Sequence, residues 1–332
     1  MPKRFKILTI FIVVFMLVCA FFITLGIGEI NIAFSDCISY IITPNESYKS
    51  QLINSIRLPR IIAAIAVGAS LALSGSIYQG IIGNPLVSPS ILGVLSGASF
   101  GAALGMILGY SMLGIEILSF IFGFGAMCVA LFLSFVFDRN KGILMLILGG
   151  IITSSFFGAG VSFIKIVADP YNELPSITYW LLGSLTFVSE IPLIALCIVA
   201  ICSVILCVVL ANYMDILNLD RDSASTLGVN VTAMRLVFII IATLLASCSV
   251  AVGGIIGWLG LVIPHIARLI IGANHRFSTL FSFLFGALFL LICDTLARSI
   301  ANTEIPLGII TSMLGIPIFV AVLFFNTRAR HS

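Results

Sequence analysis

Nine runs of this chain pass without a Lys, Arg, Asp or Glu for seventeen residues or more: 7–27, 61–81, 92–110, 117–137, 143–164, 191–212, 236–267, 277–293 and 305–327. A hydrocarbon layer about 30 Å thick is crossed by roughly 20 apolar residues in a helix. Eight of the runs therefore fit one crossing each. The run 236–267 does not, because a straight helix of that length would reach about 48 Å. Gly253-Gly254 and Gly257 supply a place to bend, and two spans resolve the excess. The predicted spans lie near 7–27, 61–81, 92–110, 115–137, 143–166, 189–212, 234–252, 256–272, 279–298 and 307–326, in one transmembrane domain covering 1–332.

Composition agrees. Hydrophobic residues make up 61% and charged residues 9%, against about 25% charged in ordinary soluble domains. That excludes a disordered chain, a basic-patch nucleic-acid binder and a soluble enzyme. The net charge of +3 is too small to imply a polyanionic partner. Lys and Arg set orientation. With ten spans, Lys3, Arg4, Lys6, Arg139, Lys141, Arg221, Arg235, Arg268, Arg276, Arg328 and Arg330 fall inside, and Lys49, Arg57, Arg60, Lys165 and Arg298 outside. Both termini are then cytoplasmic, and the outer face is acidic apart from a few placed arginines. Residues 1–28 look at first like a signal peptide. Their apolar stretch is longer than the usual h-region of about 7–15 residues and no A-x-A site follows, so an uncleaved first span is expected. The eight cysteines show no C-x-x-C spacing and read as small packing residues.

Catalytic signatures are missing: no G-x-x-x-x-G-K-[ST], H-E-x-x-H or G-x-S-x-G occurs. The three histidines are too dispersed for a metal site. The spans lack the chain of buried carboxylates or histidines that a proton relay needs, which weighs against the alternative of an ion-gradient-driven secondary transporter. Asp294 is the nearest exception, and Arg298 follows at i+4, where an ion pair forms on one helix face. Gly93, Gly97, Gly101, Gly105 and Gly109 predict a bare stripe for close helix packing. Arg57 and Arg60 flank Pro59, which suits a helix start. Their outward placement goes against the charge rule, leaving lipid headgroups or acidic groups of a partner as their use. The inner segment 214–230 is polar and helix-competent, with Asp220, Asp222 and Ser223 suited to a helix start and Gly228 to a cap. Leu217, Leu219, Ala224 and Leu227 would form its apolar side.

The stretches RLPR, GASLALSG, NPLVSPSILGVLSGA, LNLDRDSASTLGVNV, GGIIGWLGLVIPHIARLIIGANHR and DTLAR…EIPLGIITSMLGIPIF occur in this order. Together they resemble the FecCD-type permeases, the membrane subunits of ABC importers for iron–siderophore complexes, haem and vitamin B12. Gly83 stands where a charged residue often precedes NPL, and Trp258 where Phe is usual. The resemblance implies an all-α polytopic membrane protein, a type II ABC importer permease with ten transmembrane helices. Spans two to five and seven to ten would form an inverted repeat. It implies a homo- or heterodimer of permeases in the bacterial cell (inner) membrane, an extracytoplasmic substrate-binding protein, and two ATPase subunits that bind ATP and Mg. No cofactor, metal or catalytic residue is expected in this chain. Arg57, Arg60 and Arg298 would dock the binding protein. Leu217, Leu219, Asp220, Arg221, Ala224, Leu227 and Gly228 would couple to the ATPase. Gly149, Thr153, Ser154, Thr311 and Ser312 would line the translocation path. An iron–siderophore complex is the first expectation for cargo, with haem or vitamin B12 as alternatives.

Overall fold

The computed structural model describes residues 2–28, 30, 32–137, 143–219, 224, 226–301 and 303–331. Arg139, Lys141, Asp220, Arg221, Asp222 and Ser223 lie outside the described residues, as do the side chains of Arg328 and Arg330. Every regular element among the described residues is helical. Among the described residues, eight helices are long and apolar enough to cross a membrane: α1 (Lys3–Gly26), α3 (Tyr48–Ile82), α5 (Met112–Phe137), α6 (Ile143–Val167), α8 (Glu190–Val209), α10 (Val231–Gly253), α12 (His275–Ser299) and α13 (Leu307–His331). Two shorter apolar helices, α4 (Val94–Ile107) and α11 (Leu259–Ile271), take the third and eighth places. Three small helices, α2 (Phe34–Ile42), α7 (Glu173–Leu181) and α9 (Ala211–Ile216), lie between spans.

The centre of the bundle is α3, 89% of whose most apolar window is buried; the corresponding share of α1 is 11%. Small residues make that central position sterically open. A Cβ on Gly75 would lie 1.8 Å from the Gly260 carbonyl oxygen, and one on Gly68 2.4 Å from that of Gly286. At these points helix backbones touch. Polar residues tie the same helix to α10. Ser74 donates to the Ala242 carbonyl at 2.6 Å, and the Tyr78 and Thr243 hydroxyls lie 2.7 Å apart.

Pro59 stands in the first turn of the α-helical stretch Leu58–Ile82, as its position predicts, but the chain is already helical before it. Helix α3 begins at Tyr48 and runs through it by way of a π-helical turn, Leu52–Arg57. A proline inside a helix has no N–H and crowds the carbonyl four residues back, and a wider turn relieves both.

The repeat expected from the resemblance is visible in the packing. The half α3–α4–α5–α6 corresponds to α10–α11–α12–α13. Contacts α4–α5, α4–α6, α5–α6, α3–α11 and α3–α12 each have a counterpart: α11–α12, α11–α13, α12–α13, α10–α4 and α10–α5. The two short helices occupy matching places, and each is entered through a left-handed residue: Gly93 at φ +87° and Trp258 at φ +69°. For a residue as bulky as Trp that conformation is strained.

The expected five-glycine stripe is shorter than its spacing implies. Gly97, Gly101 and Gly105 face α5, where added Cβ atoms would meet Phe122, Leu118 and Ile115. Gly93 and Gly109 lie outside the helix at positive φ and serve the chain reversals at its ends.

Candidate functional site

Three arginines singled out by sequence, Arg57, Arg60 and Arg298, line one cleft of about 200 Å3, together with Glu304 and Tyr48. Their freedom differs. Arg57 is 4% exposed, and its guanidinium donates to the carbonyls of Leu25 at 2.7 Å and Ile30 at 2.5 Å. It fastens the end of α1 and the following loop to α3. Gly28 is part of that fit, since a Cβ there would stand 2.7 Å from Arg57 Nη2.

Arg60 faces two acids. Its Nε and Nη2 each lie 2.9 Å from Asp294 Oδ1, and its Nη1 lies 2.5 Å from Glu304 Oε1. The other Glu304 oxygen accepts from the Thr186 hydroxyl at 2.6 Å. Burial alone would raise the Glu304 pKa, but the Thr186 hydroxyl and the Arg60 guanidinium hold it below the usual range. Arg298 completes the group with the expected i,i+4 pair, its Nε 3.2 Å from Asp294 Oδ2. Its Nη2 has no hydrogen-bond partner. A chain of alternating charges thus joins α3, α12 and the turn before α13, and the Thr186 hydroxyl ties in the loop before α8.

Two of the acids expected on the outer face do not reach the protein surface. Among the acids assigned to it, Asp294 is fully buried and Glu116 is 1% exposed, near the start of α5. Glu116 was also missed as a buried carboxylate. It sits directly before the uncharged run 117–137, so an isolated acid beside a long apolar run was the available signal. Glu304, which the sequence reading did not single out, is the principal acid of the cleft.

On the opposite face, the segment after α9 separates the residues expected on one apolar side. Leu217 and Ala224 are buried, at 4% and 1% exposure, whereas Leu219 and Leu227 are exposed at 50% and 59%. The expected terminal glycine, Gly228, has φ +74°, a conformation suited to a helix end.

The path residues divide similarly. Gly149 touches the Ala130 carbonyl region of α5, and Thr153 and Thr311 are buried with their hydroxyls bonded to carbonyls of their own helices. Ser154 is half-buried and meets the Ser96 hydroxyl at 2.7 Å, and half-buried Ser312 donates to the Gly308 carbonyl. A cavity of about 330 Å3 lies where the two short helices begin, lined by Ser88, Pro89, Ser90, Trp258 and Gly260.

Comparison with known proteins gives a consistent result. The FecCD transport family model matches residues 16–325. The chain is 39% identical over 276 residues to the molybdate import system permease protein MolB of Haemophilus influenzae, covering 83% of this chain and 82% of that protein. It is 39% identical to a probable iron chelatin transport system permease protein of Helicobacter pylori, with 83% of each chain covered. A solved metal-chelate type ABC transporter in an inward-facing conformation superimposes with a TM-score of 0.85 at 37% identity, covering 95% of this chain and 98% of that one.

Proposed function

The chain belongs to the FecCD transport family, and on that premise we propose that it carries a ferric siderophore through a bacterial cell membrane as the permease subunit of an ATP-driven importer. As an ABC importer permease it is a transport component without catalytic activity of its own. In this reading two copies, or this chain and a related one, form the path. ATP and Mg are bound by separate ATPase subunits, and an external binding protein delivers the cargo. Both termini lie in the cytoplasm.

The observation that carries the reading is the convergence of Arg60, Arg298 and Glu304 in one cleft. A guanidinium holds carboxylates through a planar fork and keeps its charge, so acidic side chains of a binding protein are suited to it. Arg57 contributes by holding the cleft wall, since its donors already serve Leu25 and Ile30. On the inner face Leu219 and Leu227 present apolar surface to an ATPase subunit. Movement there is passed to α10 through the segment ending at Gly228.

Reconstitution tests the reading. The chain, its ATPase and its binding protein are placed in proteoliposomes and supplied with radiolabelled ferric siderophore. Uptake that requires both ATP and the binding protein is expected. The MolB similarity supports a second cargo, molybdate. Uptake of molybdate with no uptake of ferric siderophore would replace the cargo while retaining the permease role. Uptake without any ATPase would overturn that role.

A further inference from the structure

The cytoplasmic ends of α3, α11 and α12 enclose, with the end of α9, a second cavity of about 580 Å3 that the transport reading does not use. Its polar lining comes from Gln79, Asp215, Asn218, His265, Arg268 and His275. His265 is 7% exposed, and neither of its ring nitrogens has a hydrogen-bond partner. Leaving such a group unbonded is costly unless something else occupies the site. Arg268 has no acidic partner among the described residues; its Nη2 donates to Gln79 Oε1.

The remaining polar groups explain why these two stay available. Pro264 has no N–H to offer the Gly260 carbonyl four residues earlier. Gln79 fills that gap, its Nε2 donating to the carbonyls of Gly260 and Leu261 at 3.3 Å each. Gln79 is thereby fixed, and its oxygen in turn positions Arg268. The acid in the cavity is also engaged: Asp215 Oδ1 lies 2.5 Å from His275 Nδ1 and accepts from the His275 backbone N–H at 3.3 Å. Gly80 leaves room for this pair, since a Cβ there would stand 2.8 Å from His275 Nε2. What lines the open space without an acidic partner is a guanidinium, and beside it lies an imidazole whose two ring nitrogens are buried and unbonded.

We propose that this cavity binds a phosphate-class oxyanion, held by Arg268 and His265, whose source is either the free ion or the headgroup of an anionic lipid. Arg268 supplies charge and a planar set of donors, and His265, one turn earlier on the same helix, adds a ring N–H. The cytoplasmic end of a helix bundle is where lipid headgroups and soluble phosphate both reach such a pocket. The site is independent of the cargo carried.

The test uses the full chain in nanodiscs. In phosphatidylcholine discs, radiolabelled inorganic phosphate is titrated by equilibrium dialysis. In phosphatidylglycerol discs, native mass spectrometry counts retained lipid, and the phosphate titration is repeated. Saturable binding of phosphate at one site per chain identifies the free ion. One tightly retained phosphatidylglycerol that excludes phosphate identifies the headgroup. Arg268→Gln weakens either ligand by about tenfold or more, and Arg268→Lys restores part of the loss. His265→Phe keeps the ring contact with Phe319, whose centroid is 5.9 Å away, and removes the N–H, so it reports even if Arg268→Gln folds poorly. Arg276→Gln, at an exposed position, changes binding by about twofold or less. The proposal fails if neither membrane gives saturable binding. It also fails if Arg276→Gln weakens binding as much as the cavity variants do, because the binding is then surface charge alone.

Discussion

Arg60 on α3 grips a single oxygen of Asp294 on α12, Oδ1, through both Nε and Nη2 at 2.9 Å. Asp294 is fully buried and Arg60 is 7% exposed, so this contact lies inside the protein although it borders the cleft. A buried ion pair is weak evidence of net stabilisation, but losing one partner strands the other charge.

Asp294→Asn therefore destabilises the chain by about 3–5 kcal/mol. The variant is expected to unfold at a clearly lower temperature in detergent and to reach the membrane in lower yield. An unchanged melting temperature would show that Glu304, already bonded to Arg60, compensates the loss by itself.

Glu304 behaves differently because its side chain is 36% exposed. Glu304→Gln is expected to cost less than about 1 kcal/mol, the scale of exposed ion pairs. It also frees the outer guanidinium edge of Arg60, so the binding protein should associate several-fold more tightly in surface plasmon resonance. Weaker binding would mean that Glu304 itself contacts the partner.

The pH response follows from the direction of the Glu304 shift. Its carboxyl is held below the ordinary glutamate range, so the Arg60–Glu304 tie is fully present above that range and is lost only as pH falls through the lowered value. Binding-protein affinity is thus expected to be insensitive to this group between about pH 5 and 8. A transition attributable to Glu304 inside that window, one abolished by Glu304→Gln, would contradict the assignment.

Arg57 and Arg298 separate structure from docking. Arg57→Glu loses the bonds to Leu25 and Ile30 and places a carboxylate beside two carbonyls, so the expected outcome is poor folding. Arg298→Gln removes the charge without setting a second carboxylate beside Asp294, which keeps Arg60, so it is expected to leave a folded chain that no longer binds its partner. Pull-down and thermal melts on both variants distinguish the roles. Equal loss of folding in both would remove Arg298 as a docking residue.

The coupling segment offers a matched pair. Leu227 is 59% exposed and Leu217 4%. Leu227→Asp should fold and bind the external protein yet break the link between ATP hydrolysis and uptake. Leu217→Asp buries a charge and should reduce folded yield. Measured transport per ATP decides; normal coupling in Leu227→Asp would place the contact elsewhere.

Glycine positions differ as sharply. Gly75→Ala would drive a methyl into the Gly260 backbone, and a large loss of folded protein is expected. Gly109 has φ +70° with open space around it, so Gly109→Ala pays only the conformational penalty of about 1 kcal/mol. Both are read by thermal melts of the purified chain.

Span number and the resemblance were legible because hydropathy, charge and motif order belong to local stretches of chain. The break after Gly253 was legible for the same reason: one uncharged run was too long for one crossing. The three outer arginines could be named from the charge rule and the RLPR and DTLAR motifs, but their differing freedom could not. Glu304 gains its importance from Arg60, 244 residues away in sequence, and Arg57 loses its availability to two carbonyls of another segment. Likewise His265, on α11, becomes notable only once packing buries its ring nitrogens without a hydrogen-bond partner. Sequence by itself determined which stretches are apolar enough to form spans and what kind of transporter subunit the chain resembles. Tertiary structure decided which charged groups are satisfied and which remain open, because burial and pairing depend on segments that only packing brings together.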